Sequence, residues 1–267
     1  MSGVAEKVQE RRPTTHPVYV YGVIPAAVAQ QWNGVTGLEG PSSTVRTVGE
    51  GGLFALVSDL PPEYTPGRRE DIEAHRRVLS EAIQRGTTIP MRFGIVMDSE
   101  DLVRERLLDR HAGELRDLIG KLDGHVQMMV KAFYAKDALL RDVLGADPEL
   151  ARQAALAEEA PEWEAQIERV RVGERIAAAV EARRAEVESA LLAALSPVAA
   201  DIHVDPATSE RVALSAEVLV HRDRRPELDE KVRQLGEALA EVLAFRYIGP
   251  LPPYSFADLS LREDDER

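Results

Sequence analysis

The stretch Thr87-Thr-Ile-Pro-Met-Arg-Phe-Gly94 decides the fold class of the chain around it. Read as a strand with alternating faces, it places Ile89, Met91 and Phe93 on one side, and Ile95, the next residue after the stretch, continues that side. Because Pro90 donates no backbone hydrogen bond, the run predicts an edge strand or a strand start. Helical segments on both sides indicate a mixed α and β fold. On this run alone, Arg92 is an ordinary solvated arginine.

The composition is typical of a soluble globular protein with one large domain or two ordinary ones. The 267 residues are 44% hydrophobic and 30% charged, which is enough apolar material for a sizeable core. Cysteine is absent, which excludes disulfides and cysteine nucleophiles and fits a cytoplasmic protein. The net charge of −13 opposes binding to nucleic acid and to anionic membranes. No apolar run has the length of a membrane span, so we expect no membrane insertion.

The first half of the chain has the succession strand, short helix, strand, strand, helix, strand. Its segments are Val18–Ile24, Ala26–Trp32, Thr44–Val48, Leu53–Ser58, Arg69–Arg85 and the opening stretch. The apolar stripe of the second helix comprises Ile72, His75, Leu79 and Ile83. This succession is the ferredoxin-like βαββαβ pattern. A helix from Ser99 to Leu122 follows, with Asp98 as its predicted N-cap.

The second half repeats the succession around a long helical insertion. The predicted strands are His125–Tyr134, Val198–Val204, Arg211–His221 and Ala244–Ile248, and the predicted helices are Lys136–Glu159, Glu162–Leu195 and Pro226–Leu243. Asp147 and Pro148 predict a helix start within the first helical segment. Alternation along the strands predicts one buried face and one wetter face.

We therefore predict an α+β protein with two tandem α+β domains. Residues 1–15 form a flexible N-terminal tail without the apolar segment of a signal peptide, and 261–267 form a charged tail. Residues 16–122 form the N-terminal α+β domain, which is ferredoxin-like or a variant of that pattern. Residues 123–260 form a ferredoxin-like C-terminal domain with a helical insertion at 136–195.

Catalytic signatures are sparse. The chain has no GxGxxG after a strand, no P-loop, no HExxH and no GxSxG. Asp201, His203 and Asp205 share one strand face, and His125 and His221 join that face if the ferredoxin-like order holds. A metal enzyme could use such side chains, but alternation on a half-exposed sheet produces the same pattern. We therefore predict no catalytic residue, no metal site and no cofactor.

A second stretch of interest is Tyr247-Ile-Gly-Pro-Leu-Pro-Pro-Tyr-Ser-Phe256. A strand is expected to end at Gly249, and three prolines then stiffen a turn that presents Leu251, Tyr254 and Phe256. One interpretation is a rigid plug that folds the chain back onto a sheet. The other is a pre-ordered contact surface, for which aromatic anchors are favoured.

Several motifs, taken in order, resemble the gas vesicle accessory proteins of the GvpF/GvpL family. They are Tyr19-Val-Tyr-Gly22, Phe54-Ala-Leu-Val-Ser58, His75-Arg-Arg-Val-Leu79, Ile89-Pro-Met-Arg-Phe-Gly94 and Gly249-Pro-Leu-Pro-Pro-Tyr-Ser-Phe256. The resemblance extends from about residue 18 to residue 260. In the last motif Leu251 stands where the family usually has Trp, and Ser255 where it usually has Asn.

The resemblance implies two α+β domains and a non-enzymatic role in gas vesicles, as an assembly factor or minor component. It implies that the chain binds the hydrophobic shell protein GvpA and also other gas vesicle accessory proteins, and that it limits GvpA aggregation and helps to nucleate the shell. The expected partner-binding residues are Met91, Arg92, Phe93, Leu251, Tyr254 and Phe256. The alternative is a regulatory module of tandem ferredoxin-like units that binds a small molecule.

Overall fold

The computed structural model describes residues 16–38, 43–61, 64–65, 67–159 and 162–259. They form two compact units, one comprising the chain up to Gly124 together with the segment from Pro252 onward, and one comprising His125–Leu251. The predicted tails, 1–15 and 261–267, lie outside the described residues.

The first unit is built on an antiparallel sheet. Its strands are β1 (Val18–Pro25), β2 (Arg46–Glu50), β3 (Leu53–Asp59), β4 (Ile89–Pro90) and β5 (Val96–Met97). The order is β2-β3-β1-β4, and β5 also pairs with β1. The central strand β1 is buried along almost its whole length, as its β-branched and aromatic residues favour. Gly51 and Gly52 both have positive φ and form the turn between β2 and β3.

The opening stretch lies at the sheet edge, as predicted, but the predicted strand is too long. Only Ile89 and Pro90 pair with β1 as β4, and pairing resumes at Val96. Between them Gly94 has a φ of 97°, a left-handed conformation that glycine adopts at little cost. This bend takes Arg92 and its neighbours out of the strand.

The helices of the first unit are α1 (Ala26–Ala29), α2 (Arg69–Arg85), α3 (Glu100–Leu102) and α4 (Ala112–Leu122). The bounds of α2 match the prediction, but Ile72 is 41% exposed while Asp71 and His75 are buried. The predicted helix from Ser99 to Leu122 is divided by a π-helical segment, Val103–Asp109. Its N-cap is Ser99, not Asp98, because the Ser99 hydroxyl accepts the Leu102 N–H.

The second unit contains a four-stranded antiparallel sheet. Its strands are β6 (His125–Tyr134), β7 (Asp201–Val204), β8 (Val212–His221) and β9 (Leu243–Leu251), in the order β7-β8-β6-β9. The strand predicted to end at Gly249 therefore continues to Leu251, which pairs with Gln127. In both sheets the order is second, third, first and fourth strand of the unit.

The α-helices of the second unit, over its described residues, are α5 (Ala138–Ala146), α6 (Pro148–Glu159), α7 (Glu162–Leu195) and α8 (Arg225–Ala238). The predicted helix start is confirmed, because the Asp147 carboxylate accepts the Leu150 N–H at 2.9 Å. The last helix ends at Ala238, five residues before the predicted end, since Leu243 already belongs to β9. Leu191 and Leu195 of α7 are buried in the core of this unit.

The prediction of a wetter face on β6 and β8 is partly wrong, because Gln127, Ser215 and Glu217 on that face are buried. The amide of Gln127 donates to the Glu217 carboxylate at 2.9 Å, and the Ser215 hydroxyl donates to Asp205 at 3.3 Å. Polar groups that are paired in this way tolerate burial. Burial raises the pKa of the Glu217 carboxyl above its ordinary value.

The described residues after Pro252 belong to the first compact unit, whereas the sequence placed them in the C-terminal domain. Phe256 is only 5% exposed, and the Lys121 ammonium lies 5.7 Å from the centre of its ring. Burying this aromatic ring fixes the segment to the first unit.

Candidate functional site

The imidazole of His75 is the centre of a buried hydrogen-bond network in the first unit. Its Nδ1 lies 2.9 Å from the Tyr19 hydroxyl, and its Nε2 lies 3.1 Å from the Met91 carbonyl oxygen. Nε2 also lies 3.0 Å from the Tyr254 hydroxyl. Three segments that are distant in sequence therefore meet at one side chain of α2.

The partners of His75 determine which nitrogen carries the proton. A carbonyl oxygen only accepts, so Nε2–H donates to Met91, and Nδ1 is left to accept the Tyr19 O–H. The Tyr19 oxygen in turn accepts the Gly94 N–H at 2.9 Å. Both sides of the imidazole are thus satisfied in its neutral form.

The network is uncharged at neutral pH. Burial lowers the pKa of His75 to about 4, although its hydrogen bond to Met91 opposes the shift. Burial also raises the pKa of Tyr19 above its ordinary value and that of Tyr254 to about 12. The arrangement has the properties of a structural network that holds the surrounding segments in place.

A second tyrosine of β1 extends the network toward β3. The Tyr21 hydroxyl lies 2.9 Å from Ser58 Oγ and accepts the Leu38 N–H at 2.9 Å. Its ring stacks on His75, with ring centres 5.6 Å apart. Burial is the main cause of the raised pKa of Tyr21.

Aromatic rings surround the histidine. The Phe93 ring lies 5.7 Å from that of His75 and 6.1 Å from that of Tyr19, and Tyr64 approaches Tyr19 at 6.0 Å. The His75–Phe93 and Tyr19–Tyr64 pairs are edge-on, and aromatic pairs of this geometry contribute about 0.5–1.5 kcal/mol each beyond the area that they bury. The backbone around Phe93 is therefore held both by ring packing and by hydrogen bonds.

The predicted partner-binding residues differ in their accessibility. Met91 and Phe256 are buried, Phe93 and Leu251 are half-buried, and Arg92 and Tyr254 are exposed. Leu251 is the last residue of β9 and belongs to the second unit. In the first unit, Arg92, Phe93 and Tyr254 are the predicted residues that reach solvent, and we call them the Arg92 patch.

The Arg92 patch sits directly on the His75 network. The Tyr254 hydroxyl contacts His75, the Phe93 ring packs on the same imidazole, and Arg92 is 86% exposed with its guanidinium 4.0 Å from Asp258. The sequence placed His75 on the apolar stripe of α2 but did not identify it as the connecting residue. The sequence feature that could have identified His75 is the presence of a histidine among the apolar positions of this helix.

The face bearing Asp201, His203 and Asp205 does not form a metal centre. His203 Nε2 lies 3.5 Å from the Asp205 carboxylate, while the Asp201 carboxylate accepts the Ile202 N–H. His125 and His221 are directly opposite each other, which confirms that they share one sheet face. Across the described ranges, no group of three histidine, cysteine, aspartate or glutamate side chains is placed to hold a metal ion.

The second unit has an open groove of about 800 Å³ beside α7. Its apolar lining includes Tyr134, Leu139, Leu140, Ile176 and Val180. The Tyr134 hydroxyl is buried and has no hydrogen-bond partner among the residues that the structure describes.

No helix within the described residues is long and apolar enough to cross a bilayer.

The two α+β units, in this order, have the fold of known gas vesicle proteins. The chain is similar to the crystal structure of the gas vesicle protein GvpF from Anabaena sp. PCC7120, with a TM-score of 0.82 at 24% identity, covering 92% of this chain and 100% of that one. It is also similar to GvpF from Microcystis aeruginosa, with a TM-score of 0.74 at 24% identity and the same coverage.

Comparison of the sequence with known proteins identifies the family of this chain. The model of the gas vesicle synthesis protein GvpL/GvpF family matches residues 17–258, and the chain belongs to that family. Gas vesicle protein F of a Streptomyces species is 35% identical over 240 residues, covering 90% of this chain and 99% of that protein. Gas vesicle protein F of Dolichospermum flosaquae is 25% identical over 245 residues, covering 91% and 98%. Membership supports an accessory role in gas vesicles.

Proposed function

We propose that this chain binds the hydrophobic shell protein GvpA, limits its aggregation and helps to nucleate gas vesicle formation, without catalysing a reaction. It acts as an assembly factor or minor vesicle component. The Arg92 patch is the proposed contact surface. The observation that carries this proposal is the placement of exposed Arg92 and Tyr254 on a buried, fully hydrogen-bonded base centred on His75.

A rigid aromatic patch suits binding to an apolar subunit. Phe93 and Tyr254 offer ring surface at the exterior, while their contacts with His75 hold them in place before binding. Pre-ordered side chains lose less conformational entropy when a partner docks. The net charge of −13 keeps the carrier itself dispersed.

Side-chain contact is the favoured mode of binding at this patch. Strand addition requires a run of free backbone groups along a sheet edge. Here β4 has only two residues, and the Met91 N–H already donates to the Tyr21 carbonyl while the Ile95 carbonyl accepts from Val20. Backbone groups on either side of Arg92 are therefore already hydrogen-bonded to β1.

Capture of GvpA by the purified, immobilised chain tests the proposal. We expect Arg92→Glu combined with Tyr254→Ala to reduce retained GvpA several-fold and to release GvpA into the aggregated fraction. The matched control is Arg69→Glu, since Arg69 is an exposed arginine of α2 that pairs with Glu73. Full retention by a correctly folded double variant would show that the contact surface lies elsewhere.

We also propose that each unit belongs to the ferredoxin-like class, which the strand order of both sheets supports.

The groove beside α7 favours a second candidate function, the binding of a small regulatory molecule, because no described residue pairs with the Tyr134 hydroxyl there. A metabolite that raises the thermal midpoint of the wild-type chain but not of a Val180→Trp variant would support that function.

A further inference from the structure

The outer edge of β9 presents free backbone groups. The Ala135 N–H donates to the Val242 carbonyl at 2.9 Å, so residue 242 directs its backbone groups toward β6. Successive residues of a strand alternate in direction, and the register pairs Ala244 with Phe133 and Arg246 with Lys131. Ala244 and Arg246 therefore bond to β6, while Phe245 and Tyr247 direct their N–H and C=O groups outward.

This free stretch is short and well defined. The Leu243 N–H is occupied by the Leu239 carbonyl at 2.7 Å. Beyond it, the outward backbone groups of Phe245 and Tyr247 have no hydrogen-bond partner among the described residues, and both residues are half-exposed. An uncovered edge of this kind is a template on which another strand can add.

The charges beside this edge specify what can add to it. Lys131 and Arg246 are directly opposite each other on β6 and β9, and neither forms a salt bridge with a described carboxylate. Like charges placed directly opposite in an antiparallel sheet repel each other. Arg246 is exposed on the edge strand, so an acidic side chain on an added strand would lie directly beside Arg246 and would offset its repulsion from Lys131.

We propose that the Phe245–Tyr247 edge binds an extended segment of a partner protein that places an acidic side chain opposite Arg246. The added strand exchanges backbone hydrogen bonds with Phe245 and Tyr247. A second copy of this chain does not fit, because a two-fold pairing of β9 centred on this stretch sets Arg246 against its own copy. The site lies in the second unit and goes beyond the role proposed for the Arg92 patch.

Amide hydrogen exchange on the full chain tests the site with a defined probe. The probe is the peptide acetyl-Thr-Val-Thr-Glu-Thr-Val-Thr-amide, compared with the same peptide carrying a central lysine. We expect the glutamate peptide to slow exchange at the Phe245 and Tyr247 amides, while the Ala244 and Arg246 amides, already bonded to β6, change little. The lysine peptide should bind about fivefold more weakly, from the energies of cross-strand charge pairs.

Reversing the charge of Arg246 provides a second test of the site. Arg246→Glu should abolish the preference for the glutamate peptide or invert it, whereas Arg171→Glu, an exposed arginine of α7, should leave it unchanged. Unchanged exchange at Phe245 and Tyr247 with the glutamate peptide would overturn the proposal. Equal binding of the two peptides to the wild-type chain would overturn it as well, and neither result would bear on GvpA capture by the Arg92 patch.

Discussion

The Nε2 atom of His75 lies 3.0 Å from the hydroxyl of Tyr254, a residue 179 positions further along the chain. This contact joins α2 to the segment after Pro252 within the first unit. Nε2 also donates to the Met91 carbonyl. One imidazole therefore holds both parts of the proposed binding surface, the segment around Arg92 and the segment around Tyr254. The aromatic patch therefore depends on a buried polar residue.

Replacing His75 with leucine should destabilise the first unit substantially. The substitution leaves the Tyr19 hydroxyl and the Met91 carbonyl without their partner in a buried setting, which we expect to cost about 2–4 kcal/mol. Urea unfolding followed by circular dichroism measures the change. His75→Gln, which retains a donor and an acceptor, is the control and should lose less. A loss below about 1 kcal/mol for the leucine variant would contradict the network.

Removing only the hydroxyl of Tyr254 should have a small effect on stability. In Tyr254→Phe the imidazole keeps its bond to Met91, and the ring remains available to a partner, so we expect a loss of about 0.5–1 kcal/mol. Tyr254→Ala should cost more and should also reduce GvpA capture. If Tyr254→Phe impaired capture as strongly as Tyr254→Ala, the hydroxyl rather than the ring would be the binding element.

The histidine should make stability depend on pH in one direction. Burial lowers the pKa of His75 from 6.5 to about 4, so between these values the unfolded chain binds a proton that the folded chain does not. The contribution is therefore fully present above pH 6.5 and is lost progressively as the pH falls toward 4, by up to about 3 kcal/mol. Comparing unfolding free energies of the wild type and His75→Gln across this range isolates the effect. Parallel curves would contradict it.

Gly94 should resist substitution for conformational reasons alone. Its φ is 97°, yet an added Cβ would meet no atom within 4 Å, so Gly94→Ala introduces backbone strain without a clash. We expect a loss of about 1 kcal/mol, measured by thermal unfolding. Gly113→Ala, in α4, also has space for a Cβ and should be neutral or stabilising. Equal effects of the two substitutions would show that the bend does not require glycine.

Much of the fold could be predicted from periodicity. The bounds of β6 match the prediction because its apolar residues alternate regularly. Those of α2 and α7 match because Gly86 follows α2, and Pro161 and Pro197 flank α7. The shortness of β4 could not be predicted, since the residues around Arg92 alternate like a strand and only the φ of Gly94 takes them out of the ladder. The π-helical segment within Ser99–Leu122 likewise leaves the apolar spacing nearly unchanged.

The candidate site was only partly visible in the sequence. The motifs around Tyr19, His75, Met91 and Tyr254 were each recognisable, but their meeting at one imidazole depends on pairings across 56, 16 and 179 residues. Local spacing carries no information on such contacts. Phe256, a predicted partner-binding residue, is buried in the first unit, which agrees with the rigid-plug interpretation of that turn and not with the contact-surface interpretation.

Complementation of a deletion strain tests the central claim most directly. In a host that forms gas vesicles, we expect loss of the gene to abolish or misshape the vesicles, as seen by electron microscopy and cell buoyancy. The wild-type chain should restore them, and Arg92→Glu combined with Tyr254→Ala, expressed at the same level, should not. Normal, buoyant vesicles in cells that lack the gene would contradict the account.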